Sequence, residues 1–197
     1  MVSEVGGDAR VGRPRDPALD AAILTSTAEV FVEEGYAGVS IEGVAARAGV
    51  GKATIYRRYR DKAQLVVAAV SHGAHIDDHL PDTGDLRADL RGMIEPLFHR
   101  LRGEHGRLLT AFAAERARHP ELAAEFDRTV IGRKREHLRH LMTAAVERGE
   151  LPADADVDLV AESGPALLWH HALHGLGFPD DLPDRILTLV LGPPPAP

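Results

Sequence analysis

Lys52, Thr54, Tyr56, Arg57 and Arg58 follow one another closely, with Arg60 and Lys62 just beyond, so donors and positive charge crowd one short stretch. Between positions 41 and 62 six basic residues face only two acidic ones, Glu42 and Asp61, inside a chain whose formal net charge is −7. Ammonium and guanidinium groups at this density suit a polyanion, because they neutralise phosphates and donate to acceptors on base edges. A basic helix alone is more often a solvated face. The apolar pattern separates this one from that case. Ile41, Val44, Ala45 and Ala48 recur at helical spacing, and Gly49 stands where a left-handed backbone would end the helix. Val50 and Ile55 let a second helix pack across the first, and the small Ala45 and Ala48 allow a close approach. Two short helices meeting at a tight turn form a helix-turn-helix, which sets its second helix in the DNA major groove.

Histidine offers a second chemistry. None of the eleven precedes position 72. On one continuous helix His72, His75 and His79 would fall within an arc of about 60°. Further on, His170 and His174 are i, i+4 partners beside His171. Such spacing can bind zinc or another borderline metal, but no acidic or thiolate ligand is paired with either group. No metal site is therefore assigned, and a metal- or pH-responsive regulator is the alternative. An enzyme is not expected. The chain lacks a Gly-rich phosphate loop, a His-Glu-x-x-His motif and a nucleophile elbow, and no cofactor is called for. Glu115, Glu121 and Glu125 are expected to face water.

Composition narrows the class further. A chain of 197 residues with 44% hydrophobic side chains can bury a core, and the absence of cysteine excludes disulfides and thiolate metal sites. That absence is compatible with a reducing cytoplasm. No apolar run approaches the roughly 18 residues that span a bilayer, and the N-terminus has no apolar signal core, so a soluble, cytoplasmic protein without membrane contact is expected. Basic and acidic residues cancel over positions 1–70, nine against nine, while 71–197 hold 14 against 21. An acidic remainder is repelled by phosphate, which confines a DNA face to the N-terminal third. Non-specific architectural binding to DNA is the closer rival to sequence-specific reading.

Helical periodicity runs the length of the chain and no segment reads as a strand, so the fold class is all-α. Residues 1–15 read as a flexible arm ending in Gly12-Arg13-Pro14-Arg15, whose Arg13 and Arg15 could enter a narrow minor groove. Asp16 and Pro17 open the first helix, which Gly35 closes. Ser40 caps the second, Gly51 precedes the third, and Asp61 caps a fourth running to Leu80. A fifth spans about 85–102, with Pro96 expected to kink or break it. The sixth carries Leu108, Leu109 and Phe112. Pro120 opens a long helix to about Gly149, and the last two cover about 157–175 and 182–191. Residues 193–197 form a Pro-rich tail expected to be disordered.

The segments Phe31-Val-Glu-Glu-Gly-Tyr36, Ser40 to Ala48, Gly49-Val50 and Lys52-Ala-Thr-Ile-Tyr56, with Tyr59 and Lys62, resemble the TetR (tetracycline repressor) family of transcriptional regulators. Arg118-His-Pro-Glu-Leu122 and Glu147-Arg-Gly-Glu-Leu151 extend the likeness less specifically. The resemblance implies a helix-turn-helix DNA-binding domain over 16–62 and a helical effector-binding and dimerisation domain over 63–192. It also implies a homodimer on palindromic operator DNA, a repressor released by a small molecule. By the family pattern Lys52, Ala53 and Tyr56 approach bases. Thr54, Arg57, Arg58 and Lys62 approach phosphates, and Ser40 and Gly51 border the same surface. Gly51 replaces the usual Ser or Thr cap, costing a few tenths of a kcal/mol, and Gly43 replaces a polar residue within a helix, costing about 1 kcal/mol. Candidate pocket residues are Met93, Leu97, Leu109, Phe112, Phe126, His137, Leu141, Leu167, Trp169 and His170, which suit a largely apolar effector. Leu159, Val160, Leu167, Leu168, Ile186, Leu187 and Val190 present more apolar surface than one small domain should bury, and are expected to form a four-helix dimer interface.

Overall fold

The computed structural model describes residues 16–76 and 80–194, and every regular element in them is helical. The arm with Arg13 and Arg15 lies outside the described residues, as do the last three of the tail. Helix α1 (Pro17–Gly38) starts where the Asp16 carboxylate accepts from the N–H groups of Ala18 and Leu19. It bends at Gly35 (φ 70, ψ −179) instead of ending there, and a further turn carries Tyr36 into the core. Helix α2 (Ile41–Arg47) is capped as expected, the Ser40 hydroxyl oxygen accepting from Gly43 N–H at 3.0 Å. Gly49 takes the left-handed turn (φ 66) that a Cβ would strain. Helix α3 (Lys52–Tyr56) then begins at Gly51 without any side-chain cap. Ile55 is fully buried with Ile23 and Val44, which seats α3 on α1 and α2.

Helix α4 (Lys62–Gly73) buries Leu65, Val66, Val67, Ala69 and Val70. A helix apolar on so many sides must be enclosed, and α4 is packed against α1 on one side and α6 and α7 on another. It ends at Gly73, not Leu80. His75 is left-handed (φ 48), with its N–H bonded to His72 O and the Ile76 N–H bonded to Ser71 O. These paired bonds satisfy the terminal carbonyls and stop the helix. The proposed histidine face therefore does not form: His75 leaves the helix and stacks edge-on against His105, centroids 4.9 Å apart. His79 lies outside the described residues.

The second half contains α5 (Leu86–Arg102), α6 (Gly106–Arg116), α7 (Pro120–Phe126), a π-helical turn (Asp127–Ile131), α8 (Gly132–Glu147), α9 (Val157–His174) and α10 (Leu182–Leu191). The long helix expected from Pro120 is thus interrupted by one wide turn. Helix α5 continues through Pro96. Helix α9 packs on α5, α8 and α10. A Cβ at Gly164 would lie 2.8 Å from the Ile94 Cδ1 atom, so α9 and α5 approach closely there and a larger residue would make the Ile94 side chain shift.

That inward packing corrects the expected dimer surface. Leu168, Ile186 and Leu187 are buried within their own chain, because α5 brings Leu90, Ile94 and Phe98 to meet the last two helices. Val160 and Val190 line a partly open cavity and Leu167 is half-buried. Of the seven, Leu159 remains exposed, at 63%. The other large apolar side chains left in water at this end are Leu173, Leu176 and Leu189.

Candidate DNA interface and ligand cavity

Helix α3 has five residues and one buried anchor, so most of it faces outward. Lys52, Ala53 and Arg57 are exposed, as are Ser40 and Gly51, and Tyr56 is 55% exposed, while Thr54 is half-buried. The charge of this stretch is less available than the sequence suggests. Arg47 forms a fork with Glu33, at 2.7 and 2.9 Å, and also bonds Glu29. The Arg58 side chain is only 10% exposed; it pairs with Asp20 on α1 and donates to Thr54 O. Its expected phosphate role gives way to that of a brace holding the end of α3 against α1. Among the described residues, Arg57 is the one cation of the stretch with no partner.

Lys62 is also committed internally. Its Nζ donates to Tyr36 O at 2.7 Å and lies 4.2 Å from the centre of the Tyr36 ring. Burial lowers its pKa below the ordinary lysine value. Tyr36 itself is 4% exposed, receives a Glu115 carboxylate on its N–H at 3.2 Å and stacks on His119. Glu125, expected in water, is 5% exposed and holds Arg128 at 2.6 Å and Arg60 at 3.4 Å. The sequence shows these carboxylates on one helical repeat. Arg128 is a local i+3 partner, but Arg60 and the Tyr36 N–H lie 65 and 79 positions from the carboxylates that hold them, so only the fold reveals those two contacts.

Burial, then the neighbouring Glu121 charge and its hydrogen bond, pushes the Tyr36 hydroxyl up from 10.0 to about 12. The folded-state pKa is the higher one, so this contribution is complete below pH 10 and is lost as pH rises towards 12. Two units correspond to at most about 2.7 kcal/mol. Lys62, with its pKa lowered, works in the opposite direction. Urea unfolding of wild type and Tyr36→Phe should therefore converge in stability between about pH 10 and 12; a constant gap would contradict the assignment.

The second half forms a partly open cavity of about 520 Å3. Six of the ten candidate pocket residues line it: Met93, Leu97, Leu109, Phe112, Phe126 and Trp169. The other four do not. Leu141 is buried core, Leu167 packs half-buried against that core, His170 is exposed, and His137 is off the cavity wall with its Nε2 bonded to Pro81 O at 2.7 Å. Sequence spacing missed Arg100, Arg116, Lys134 and Arg135, four cations on the wall, with Asp158 and Glu162 opposing them in charge. Arg116 bonds Asp127 at 2.8 Å and lies over the Phe126 ring, while its buried Nε finds no hydrogen-bond partner. Pro96 and Pro165 offer no N–H to the carbonyls of Gly92 and Ala161 four residues earlier, and all four residues line the cavity.

The cavity adjoins the DNA-binding end through specific contacts. Phe31 of α1, Phe112 of α6 and Phe126 of α7 form a chain of rings with centroids 6.2 and 4.8 Å apart. Phe126 and Arg116 on the wall are the immediate neighbours of Glu125 and Glu115, which hold Arg60 and Tyr36. The histidines show no comparable organisation. His170 and His174 stack at 4.6 Å in solvent, and among the described residues no three His, Cys, Asp or Glu side chains group as metal ligands. No helix among the described residues is long and apolar enough to cross a membrane.

Residues 23–69 match the model of bacterial regulatory proteins of the tetR family, and residues 80–190 match a tetracyclin repressor-like C-terminal domain. The chain is 32% identical over 188 residues to the DNA-binding transcriptional repressor TetR of Mycobacteroides abscessus, covering 90% of this chain and 94% of that one. Among solved structures, the TetR family transcription regulator SCO0332 is 26% identical with a TM-score of 0.64, covering 90% and 99% of the two chains. FadR from Bacillus subtilis, solved in complex with stearoyl-CoA, is 19% identical with a TM-score of 0.68 over 88% and 98%. With a helix-turn-helix packed on α1 and a helical, cavity-bearing second half, the chain belongs to the TetR family of DNA-binding transcriptional regulators.

Proposed function

We propose that this protein is a dimeric repressor that leaves its operator when an anionic, acyl-bearing effector fills the cavity. The observation that carries the switch is the adjacency of cavity wall to DNA-binding end: Phe126 beside Glu125–Arg60, and Arg116 beside Glu115–Tyr36. A ligand that moves α6 or α7 pulls on the turn after α3 and on the end of α1. An apolar chamber with four cations on its wall suits a chain joined to an anionic group, and stearoyl-CoA in the FadR neighbour divides its character in the same way. Operator affinity can fall only by the factor by which the ligand prefers the released conformation. Titrating a DNA duplex selected by the protein with acyl-CoAs of graded chain length tests this. The duplex should weaken acyl-CoA binding by the factor by which acyl-CoA weakens duplex binding; equal acyl-CoA affinity with and without the duplex sinks the proposal.

On the DNA side we assign base reading to Lys52, Ala53 and Tyr56. Phosphate holding falls to Arg57, Thr54, the Gly51 backbone and the Ser40 hydroxyl, whose proton is still free to donate after the oxygen caps α2. Arg13 and Arg15 are assigned to the minor groove. Lys52→Ala and Tyr56→Ala should each cost about 1–3 kcal/mol on the selected duplex and relax its base preference. Arg57→Ala should weaken all DNA alike and flatten the salt dependence by about one unit of slope. A Lys52→Ala variant with unchanged sequence preference would remove α3 from the groove. The second copy is placed on the α9–α10 face carrying Leu159, Leu173 and Leu189. It supplies the second reading helix about 34–36 Å away.

A further inference from the structure

Lys52 opens α3, and the N-terminal residues of a recognition helix are those that meet base edges. In the DNA-free protein its Nζ lies 2.8 Å from the Glu42 carboxylate on α2, with both side chains more than half exposed. Each keeps the other charged: the hydrogen bond from Lys52 lowers the Glu42 pKa, and the same bond raises that of Lys52. Exposed pairs of this kind contribute little to folding, so stability alone does not account for a carboxylate here. Its place has a cost on DNA, because the first helix of the motif crosses the phosphate backbone. The other carboxylates holding cations of this stretch stand outside the two helices, Asp20, Glu29 and Glu33 on α1, Asp61 at the start of α4 and Glu125 on α7. Glu42 is the only acidic residue between positions 40 and 56.

We propose that Glu42 determines specificity by holding Lys52 off phosphate on non-cognate DNA and releasing it only to a base acceptor. An exposed ion pair is worth little more than thermal energy, whereas a good base contact discriminates by about tenfold to a hundredfold. What opposes a phosphate contact is chiefly the repulsion that an unpaired Glu42 would meet beside the phosphates, and a base edge of the right identity repays that cost. On random DNA the Lys52–Glu42 couple then adds no net charge and releases no counterion.

The inference rests on Lys52 reading bases, and the experiment separates the two claims. A duplex is selected by the wild-type protein from a random-sequence library, and its affinity and that of a random duplex are measured across a salt series. Wild type is compared with Glu42→Gln, Lys52→Ala, and Glu147→Gln, the same charge change on exposed α8. Glu42→Gln should bind the random duplex several-fold tighter with a salt slope steeper by about one unit, gain less on the selected duplex, and so lose selectivity. Lys52→Ala should lose base preference at one position per half-site; if it does not, the placement of Lys52 fails. If Lys52→Ala does so but Glu42→Gln leaves random-duplex affinity and slope at wild-type values, the role of Glu42 is overturned. Equal tightening on both duplexes, or the same effect from Glu147→Gln, also overturns it. A changed base identity in sites selected by Glu42→Gln would make Glu42 a direct reader and overturn it as well.

Discussion

Leu173→Glu combined with Leu189→Glu should reduce affinity for a two-half-site operator by at least about a thousandfold, the low end of the gap between specific and non-specific binding. Both leucines are more than half exposed, at 58% and 73%, so neither change empties the core. In the proposed dimer the effect comes instead from placing four carboxylates across the two-fold contact, where like charges repel. One α3 carries few base contacts. Without a tethered partner the second half-site adds nothing, and the monomer falls back towards its phosphate-only affinity. Sedimentation should give a folded monomer with wild-type helicity and weak, strongly salt-dependent DNA binding. A stable dimer with operator affinity intact would move the interface to another face.

Phe112→Ala has the second largest expected consequence, a loss of about 3–5 kcal/mol in unfolding free energy. Phe112 is 3% exposed and stands between Phe31 and Phe126, so truncation removes the middle ring of the path from α1 to the cavity wall. The void joins an existing cavity instead of collapsing, which places the cost towards the upper part of that range. Operator binding should persist in the folded fraction at low temperature while the response to acyl-CoA is reduced. Urea melts and duplex titrations with and without acyl-CoA measure the two effects separately. An unimpaired response would show that coupling runs through the Glu115–Tyr36 and Glu125–Arg60 contacts without the rings.

The same contacts show how far local sequence reading extends. The helix-turn-helix was legible because its determinants are neighbours: Ser40 caps three residues ahead, Gly49 turns the chain between the helices, and Ile55 anchors α3 beneath. Six cavity-lining residues were legible because large apolar side chains on amphipathic helices must turn inward, and a cavity lies where they meet. Periodicity could not separate lining from core, which is why Leu141 was placed in the pocket and Leu168, Ile186 and Leu187 on the dimer face. Whether an apolar stripe is covered depends on the helix opposite, and α5 with Ile94 against Gly164 covers this one.

The sequence by itself determined an all-helical chain with a basic reading head at one end and an acidic remainder, since propensity, caps, turn glycines and net charge act over a few residues. The tertiary structure decided which charges are available. Arg58 and Lys62 look like phosphate ligands in sequence but are held by Asp20 and Tyr36, and Glu125 looks like a solvated acid but is buried between Arg60 and Arg128. An ionic group takes whatever opposite charge or acceptor the fold brings within about 4 Å, and except for Arg128, three residues from Glu125, those partners lie 26 to 65 positions away along the chain.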